Sequence, residues 1–206
     1  MVLMRGTPAA VEYYRILLAE LEQRVANEIV AVPGERFRFF WEGPPIWCGL
    51  RPLSTLFLEH RVAVVSSTYC RNFALEGFDP DNPIESMART YVGIFPNRSS
   101  GYKADYLQSE VEKHGADAII YHDGRTAGKH SSVRYGLQHR LEEATGLPSL
   151  VLEADTHDTR VFSVDLLERQ LKDFIELTER RARKANGSAN GGGESLLSGP
   201  QGGRHV

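Results

Sequence analysis

Ala118-Ile119-Ile120-Tyr121 runs without a break into His122-Asp123-Gly124-Arg125-Thr126-Ala127-Gly128-Lys129-His130. The first four residues are apolar and show no polar alternation, as in a strand buried on both faces. The polar stretch reads as the loop that leaves it. From about Ser132 to Thr145, Leu137, Leu141 and Ala144 recur at helical spacing, until Gly146 stops the helix with Pro148 just beyond. Strand, polar loop, helix and then a further apolar run, Leu150-Val151-Leu152, is the repeating unit of an α/β chain.

The same alternation extends upstream. Pro33-Gly34 breaks the chain before Phe37-Arg38-Phe39-Phe40-Trp41, a first strand. Val62-Ala63-Val64-Val65 is a second, apolar throughout and expected to be buried on both faces. Between them, residues 50 to 60 read as a helix carrying Leu53, Leu56 and Phe57. Asn82, Pro83 and Glu85 suit the cap of a helix bearing Ile84, Met87, Ala88 and Tyr91, and another helix runs from about Tyr102 to His114, ending at Gly115. At the N-terminal side, Thr7-Pro8 opens a helix whose Val11, Tyr14, Leu18, Leu21 and Val25 form one stripe. Ser163 caps the last helix, striped by Val164, Leu167, Leu171, Phe174 and Leu177. Its basic end, Arg180, Arg181, Arg183 and Lys184, complements the helix dipole. Four strands alternating with helices predict a flavodoxin-like or Rossmann-like domain over 1–184, a parallel four-stranded sheet with helices on both faces. Residues 185–206, rich in Gly and Ser, are expected to form a disordered tail.

Composition narrows the function. The chain has 206 residues, 41% hydrophobic and 25% charged, with net charge −3. That balance argues against general affinity for nucleic acid or an anionic membrane, which needs a basic excess. No apolar run approaches the roughly 20 residues of a membrane span, and no secretory signal is legible near Met1. Two cysteines, Cys48 and Cys70, read as free thiols in a reducing compartment, so a cytoplasmic protein is expected.

In open α/β sheets, ligands bind beyond the carboxyl ends of the strands. The loops expected there carry Glu42 and Cys48, then Cys70 and Arg71, then His122, Arg125, Lys129 and His130, then Glu153, Asp155 and His157. Glu42, His122 and Arg125 are the candidate substrate-binding residues. Arg125 follows His122 just past a strand, so both side chains are expected to face the cleft. A guanidinium there suits a phosphate, a carboxylate or a thioester carbonyl, or ties its own loop to Glu153 or Asp155. Cys48 and Cys70 read as small apolar residues ahead of metal ligands, because they are too far apart for a Cys-x-x-Cys pair and their spacing is only a weak metal signal. The phosphate-loop, dinucleotide-binding and Gly-x-Ser-x-Gly patterns are absent.

Three stretches, taken in order, carry a resemblance. They are Arg36-Phe37-Arg38-Phe39-Phe40-Trp41-Glu42-Gly43-Pro44-Pro45, the segment from Asp79 through Asn97-Arg98-Ser99, and His122-Asp123-Gly124-Arg125-Thr126 followed by Thr145-Gly146-Leu147-Pro148-Ser149-Leu150-Val151-Leu152-Glu153-Ala154-Asp155. Together with Arg5-Gly6-Thr7-Pro8, they resemble the second domain of the subunits of 2-hydroxyacyl-CoA dehydratases and benzoyl-CoA reductases. The resemblance implies an acyl-CoA substrate and a heterodimer whose subunits hold 4Fe–4S clusters by cysteines. It also implies an ATP-dependent activator protein that supplies a low-potential electron for ketyl-radical chemistry. Family subunits are longer, and their N-terminal domain carries two of the cluster cysteines. The remaining family ligand position is Ala127 here, and Ala cannot bind iron. A cluster is therefore not expected on this chain alone.

The leading expectation is a subunit or fragment of such an enzyme, acting with a partner subunit or with the missing N-terminal half. An apolar face left uncovered is expected on the Val11 to Val25 stripe or the Trp41 to Trp47 loop. A cluster-less scaffold subunit and a stand-alone small-molecule-binding module are the alternatives.

Overall fold

The computed structural model of the chain describes residue 4 and residues 6–72, 75–126, 136–161 and 163–190. Their elements are α1 (Pro8–Ala26), β1 (Phe37–Glu42), α2 (Leu50–Glu59), β2 (Val62–Ser67), α3 (Thr68–Arg71), α4 (Pro83–Val92), α5 (Ser100–His114), β3 (Ala118–Gly124), α6 (Leu137–Thr145), β4 (Ser149–Ala154) and α7 (Val164–Asn190). The four strands form one parallel sheet in the order β2-β1-β3-β4. This is the flavodoxin-like order, and it places the topological switch between β1 and β3.

Period-two alternation along the strands builds a core on each face. Phe37, Phe39 and Trp41 of β1, with Ala118 and Ile120 of β3, pack against Leu53, Leu56 and Phe57 of α2 and Leu167, Leu171, Phe174 and Ile175 of α7. Phe40, Ile119 and Tyr121 point the other way, onto Leu107 and Val111 of α5 and Leu137 and Leu141 of α6. The caps read from the sequence form at three helix ends. Thr7 Oγ1 accepts from Ala10 N–H, Ser163 Oγ from Leu166 N–H, and Gly115 closes α5 in the left-handed region.

Several expectations are corrected. β2 is an edge strand, so Val64 is exposed rather than buried on both faces. Asn82 is the N-cap of α4, yet its side chain donates to Asp79 at 3.2 Å instead of capping, and Glu85 pairs with Arg89. On α4 it is Ser86 that is buried, while Ile84, Met87 and Tyr91 face solvent. β3 continues to Gly124, which takes His122 and Asp123 out of the expected loop and into the strand. The helix expected from Ser132 is described from Leu137, and residues 127–135, Ala127 included, lie outside the described residues. α7 runs to Asn190, so the expected tail begins as helix and its remainder, 191–206, also lies outside them. Among the described residues, no helix is long and apolar enough to cross a membrane.

Candidate functional site

The loop after β1 is the keystone of the C-terminal edge. Pro44 O accepts from Trp41 Nε1–H at 3.2 Å and from His122 Nδ1–H at 2.7 Å. A carbonyl only accepts, so the proton sits on Nδ1 of His122. Gly43 N–H donates to Thr68 Oγ1 at 3.0 Å, tying the same loop to the start of α3. Gly43 has φ +103°, and a Cβ there would stand 3.0 Å from His122 O, so both the backbone angle and the close approach to β3 require glycine.

A cavity of about 340 Å³ opens beside this loop, near the β1 end of the topological switch. Its wall takes Glu42, Gly43 and Pro44 from the end of β1, Thr68, Tyr69 and Asn72 from the end of β2, and Thr156 from beyond β4. Phe95 and Lys103 complete it from the α5 side, with Lys103 Nζ 5.4 Å above the Phe95 ring. Glu42 is buried at 3% exposure. A second cavity of about 260 Å³ lies across the Pro44-Pro45-Ile46 loop, lined chiefly by apolar groups including Trp41, Ile46, Leu53 and Phe57. Tyr69 lines both.

The structure separates the three candidate residues. Glu42 pairs in register with Tyr121, whose ring joins the α5 and α6 face, and Glu42 lines the larger cavity. His122 lies one strand position on and faces the opposite side, its ring centroid 6.2 Å from that of Trp41. It is buried at 2% exposure, so it does not face the cleft as expected. Among the described residues its Nε2 is buried without a hydrogen-bond partner. Burial pushes its pKa below the usual histidine range, against the opposing pull of the Pro44 carbonyl. Arg125 is exposed and donates from Nε to Glu153 at 3.0 Å, the local tie that was the other expectation for it. Asp155 accepts from Thr126 Oγ1 and from the N–H groups of His157 and Asp158. Those bonds, the Thr126 hydroxyl first, hold its carboxyl far below the usual range and fix the turn after β4.

The chain matches the family of the 2-hydroxyglutaryl-CoA dehydratase D-component over residues 1–177. The chain belongs to this family. It is 27% identical to a benzoyl-CoA reductase subunit of Thauera aromatica, with 88% of this chain aligned to 44% of that one. It is 26% identical to the (R)-2-hydroxyisocaproyl-CoA dehydratase alpha subunit of Clostridioides difficile, covering 90% of this chain and 45% of the other. A third relative is the (R)-2-hydroxyglutaryl-CoA dehydratase alpha subunit of Acidaminococcus fermentans, at 23% identity over 89% of this chain and 38% of the other. The chain thus spans less than half the length of these dehydratase and reductase subunits.

For this dehydratase-family chain, the described residues do not fit a 4Fe–4S cluster. Cys48 is half-buried, packs against the core, and directs its thiol to Asp155 O at 3.8 Å. Cys70 is exposed on α3. No group of three or more His, Cys, Asp or Glu side chains is placed to hold a metal ion among the described residues. Two thiols fall short of the four ligands such a cluster takes.

Sequence reasoning missed Phe95, just before α5, and Lys103, in its first turn. One signal was present. Lys103 stands in the first turn of α5, which holds no acidic residue, although helix dipoles favour acids there.

Proposed function

We propose that this chain is one component of an acyl-CoA dehydratase or reductase and that it forms a wall of the acyl-CoA site, acting with a partner chain. One observation carries the reading: the cavity at the C-terminal edge holds a buried carboxylate, Glu42, and the ammonium of Lys103, with hydroxyls from Thr68 and Thr156. Lys103 makes no ion pair among the described residues and lies over the Phe95 ring, which leaves its charge available to an anionic group. Thr68 and Thr156 suit hydrogen bonds to a carbonyl or an amide, and the apolar cavity across the loop suits a hydrocarbon portion. Arg125, at the outer edge, is proposed as a second anion contact whose guanidinium Glu153 keeps in place. His122 acts through Pro44, orienting the loop that both cavities share.

The names of the relatives support dehydration of a 2-hydroxyacyl-CoA or reduction of benzoyl-CoA as the reaction of the whole assembly. Radical chemistry needs a low-potential electron, and the iron–sulfur group that carries it belongs, on this reading, to a cysteine-bearing partner. Apolar side chains left in solvent on α4, Ile84, Met87 and Tyr91, are consistent with such a partner.

Co-expression with a cysteine-bearing family subunit tests the reading. The two chains are expected to copurify, with iron and acid-labile sulfide in the complex and none on this chain alone after anaerobic reconstitution. A stoichiometric cluster on the isolated chain, lost in Cys48→Ser or Cys70→Ser, contradicts it.

A further inference from the structure

A further cavity, of about 330 Å³, backs onto the one beside Glu42, and Asn72 and Phe95 line both. Its volume suits a small-molecule site. One wall is aromatic. Tyr102 and Tyr106 of α5 stack with their rings 7° from parallel and their centroids 6.4 Å apart, and Phe95 meets Tyr106 at 5.4 Å. Two hydrogen bonds hold the surrounding segments in place. Thr90 Oγ1 of α4 donates to Glu76 O at 2.9 Å, and Asn97 Nδ2 donates to Tyr91 O at 2.8 Å.

Two cations lie on the aromatic wall. Arg98 Cζ is 4.1 Å from the Tyr102 ring centroid, and Lys103 Nζ is 5.4 Å from that of Phe95. Neither makes an ion pair among the described residues. Glu76, the acidic residue of the lining, is exposed beside α4, so an anionic group is favoured toward the α5 side. Asn72 adds the group that reads a ligand edge. Its backbone N–H is fixed to Thr68 O at 3.1 Å, yet its Oδ1 is buried with no hydrogen-bond partner among the described residues. A buried acceptor left unpaired is costly, and a ligand donor removes the cost. A carboxamide offers an acceptor beside a donor. That pair matches the edge of adenine, whose amino group donates and whose neighbouring ring nitrogen accepts. Aromatic rings and guanidinium planes are the surfaces on which such bases stack.

We propose that this cavity binds the adenine of a nucleotide. The base stacks on the wall of Tyr102, Tyr106 and Phe95, Asn72 pairs with its amino edge, and Arg98 and Lys103 take the phosphates. The adenine site stands on these residues alone. That the nucleotide is the CoA end of an acyl-CoA rests on the function proposed above. On that reading the rest of the thioester passes Asn72 and Phe95 into the cavity beside Glu42.

Calorimetric titration of the full chain with ADP and with inosine diphosphate, which has a carbonyl where adenine has its amino group, tests the site. ADP is expected to bind about tenfold more tightly, the difference made by one hydrogen-bonded contact. Asn72→Ala should abolish that preference. Tyr102→Ala should weaken ADP binding about tenfold, while Tyr102→Phe, which keeps the ring, should leave it unchanged. Tyr102 is 40% exposed, so both variants are expected to keep the far-UV circular dichroism of the parent chain. Absence of ADP binding, equal affinity for the two nucleotides, a preference that survives Asn72→Ala, or equal ADP affinity in the two Tyr102 variants overturns the proposal. Butyryl-CoA should displace ADP. If ADP binds with this preference and butyryl-CoA does not bind, the adenine site stands and the acyl-CoA reading fails. If butyryl-CoA binds and ADP does not compete with it, the adenine site is overturned and the acyl-CoA reading stands.

Discussion

Gly43 carries more structural demand than any charged residue of the edge. Its φ of +103° and the 3.0 Å approach of a Cβ to His122 O predict that Gly43→Ala is destabilised by about 1 to 3 kcal/mol. Gly101, in the first turn of α5 with nothing within 4 Å, is the control, and Gly101→Ala should leave the melt unchanged or raise it. Equal melts for the two variants would contradict the keystone role of the loop. His122 sets a second expectation. Its folded pKa lies below the ordinary 6.5, so the neutral ring contributes stability in full above pH 6.5. That contribution is lost as pH falls from 6.5 toward the depressed value, by at most about 1.4 kcal/mol per pH unit. Asp155 and Asp123 are the charges that oppose the shift, and Asp155 itself titrates well below this window. Denaturant melts at about pH 7.5 and about pH 5.5 should therefore diverge, and His122→Asn, which keeps a donor and cannot titrate, should narrow the gap. At this scale the sequence was legible in part. Glu42 and Arg125 stand at the edge, as their positions after strands implied. His122 does not face the cleft, because the pleat continues through it in β3 and parity sends it under Trp41.

Elements were read well where their own residues determined them. The Thr7, Ser163 and Gly115 caps, and the Leu53, Leu56 and Phe57 stripe of α2, depend on contacts within a few residues. Long-range facts were not legible in the same way. Val64 belongs to an apolar run suited to a central strand, and only the sheet order makes it an edge residue. α7 shows the same limit. Its stripe predicted Leu177 inward with Phe174, but Phe174 is buried with its ring 5.5 Å from Phe39, while Leu177 is 39% exposed and Ile175 takes the inner place. Phe174→Ala should cost about 3 to 5 kcal/mol and Leu177→Ala well under half of that. Chemical denaturation of both variants checks the difference, and similar losses would contradict the observed face of α7.

For the whole molecule, alternation of strands and helices was enough to predict a parallel α/β domain, and the resemblance of three ordered stretches pointed to the family that the chain matches over 1–177. The strand order was not legible, because register and order arise from packing of all elements at once. The cavity was legible only in outline, since Lys103 reaches it from a helix far from the other lining residues in sequence. The central claim, that this edge is a wall of an acyl-CoA site, is tested most directly by calorimetric titration of the chain with a CoA thioester beside thermal melts. Lys103→Ala and Arg125→Ala should each weaken binding at least about tenfold, the loss of a charge-assisted contact. Their melts should move little, because Lys103 makes no ion pair among the described residues and the Arg125 pair with Glu153 is solvent-exposed. Absence of binding, or affinity unchanged in both variants, would contradict the account.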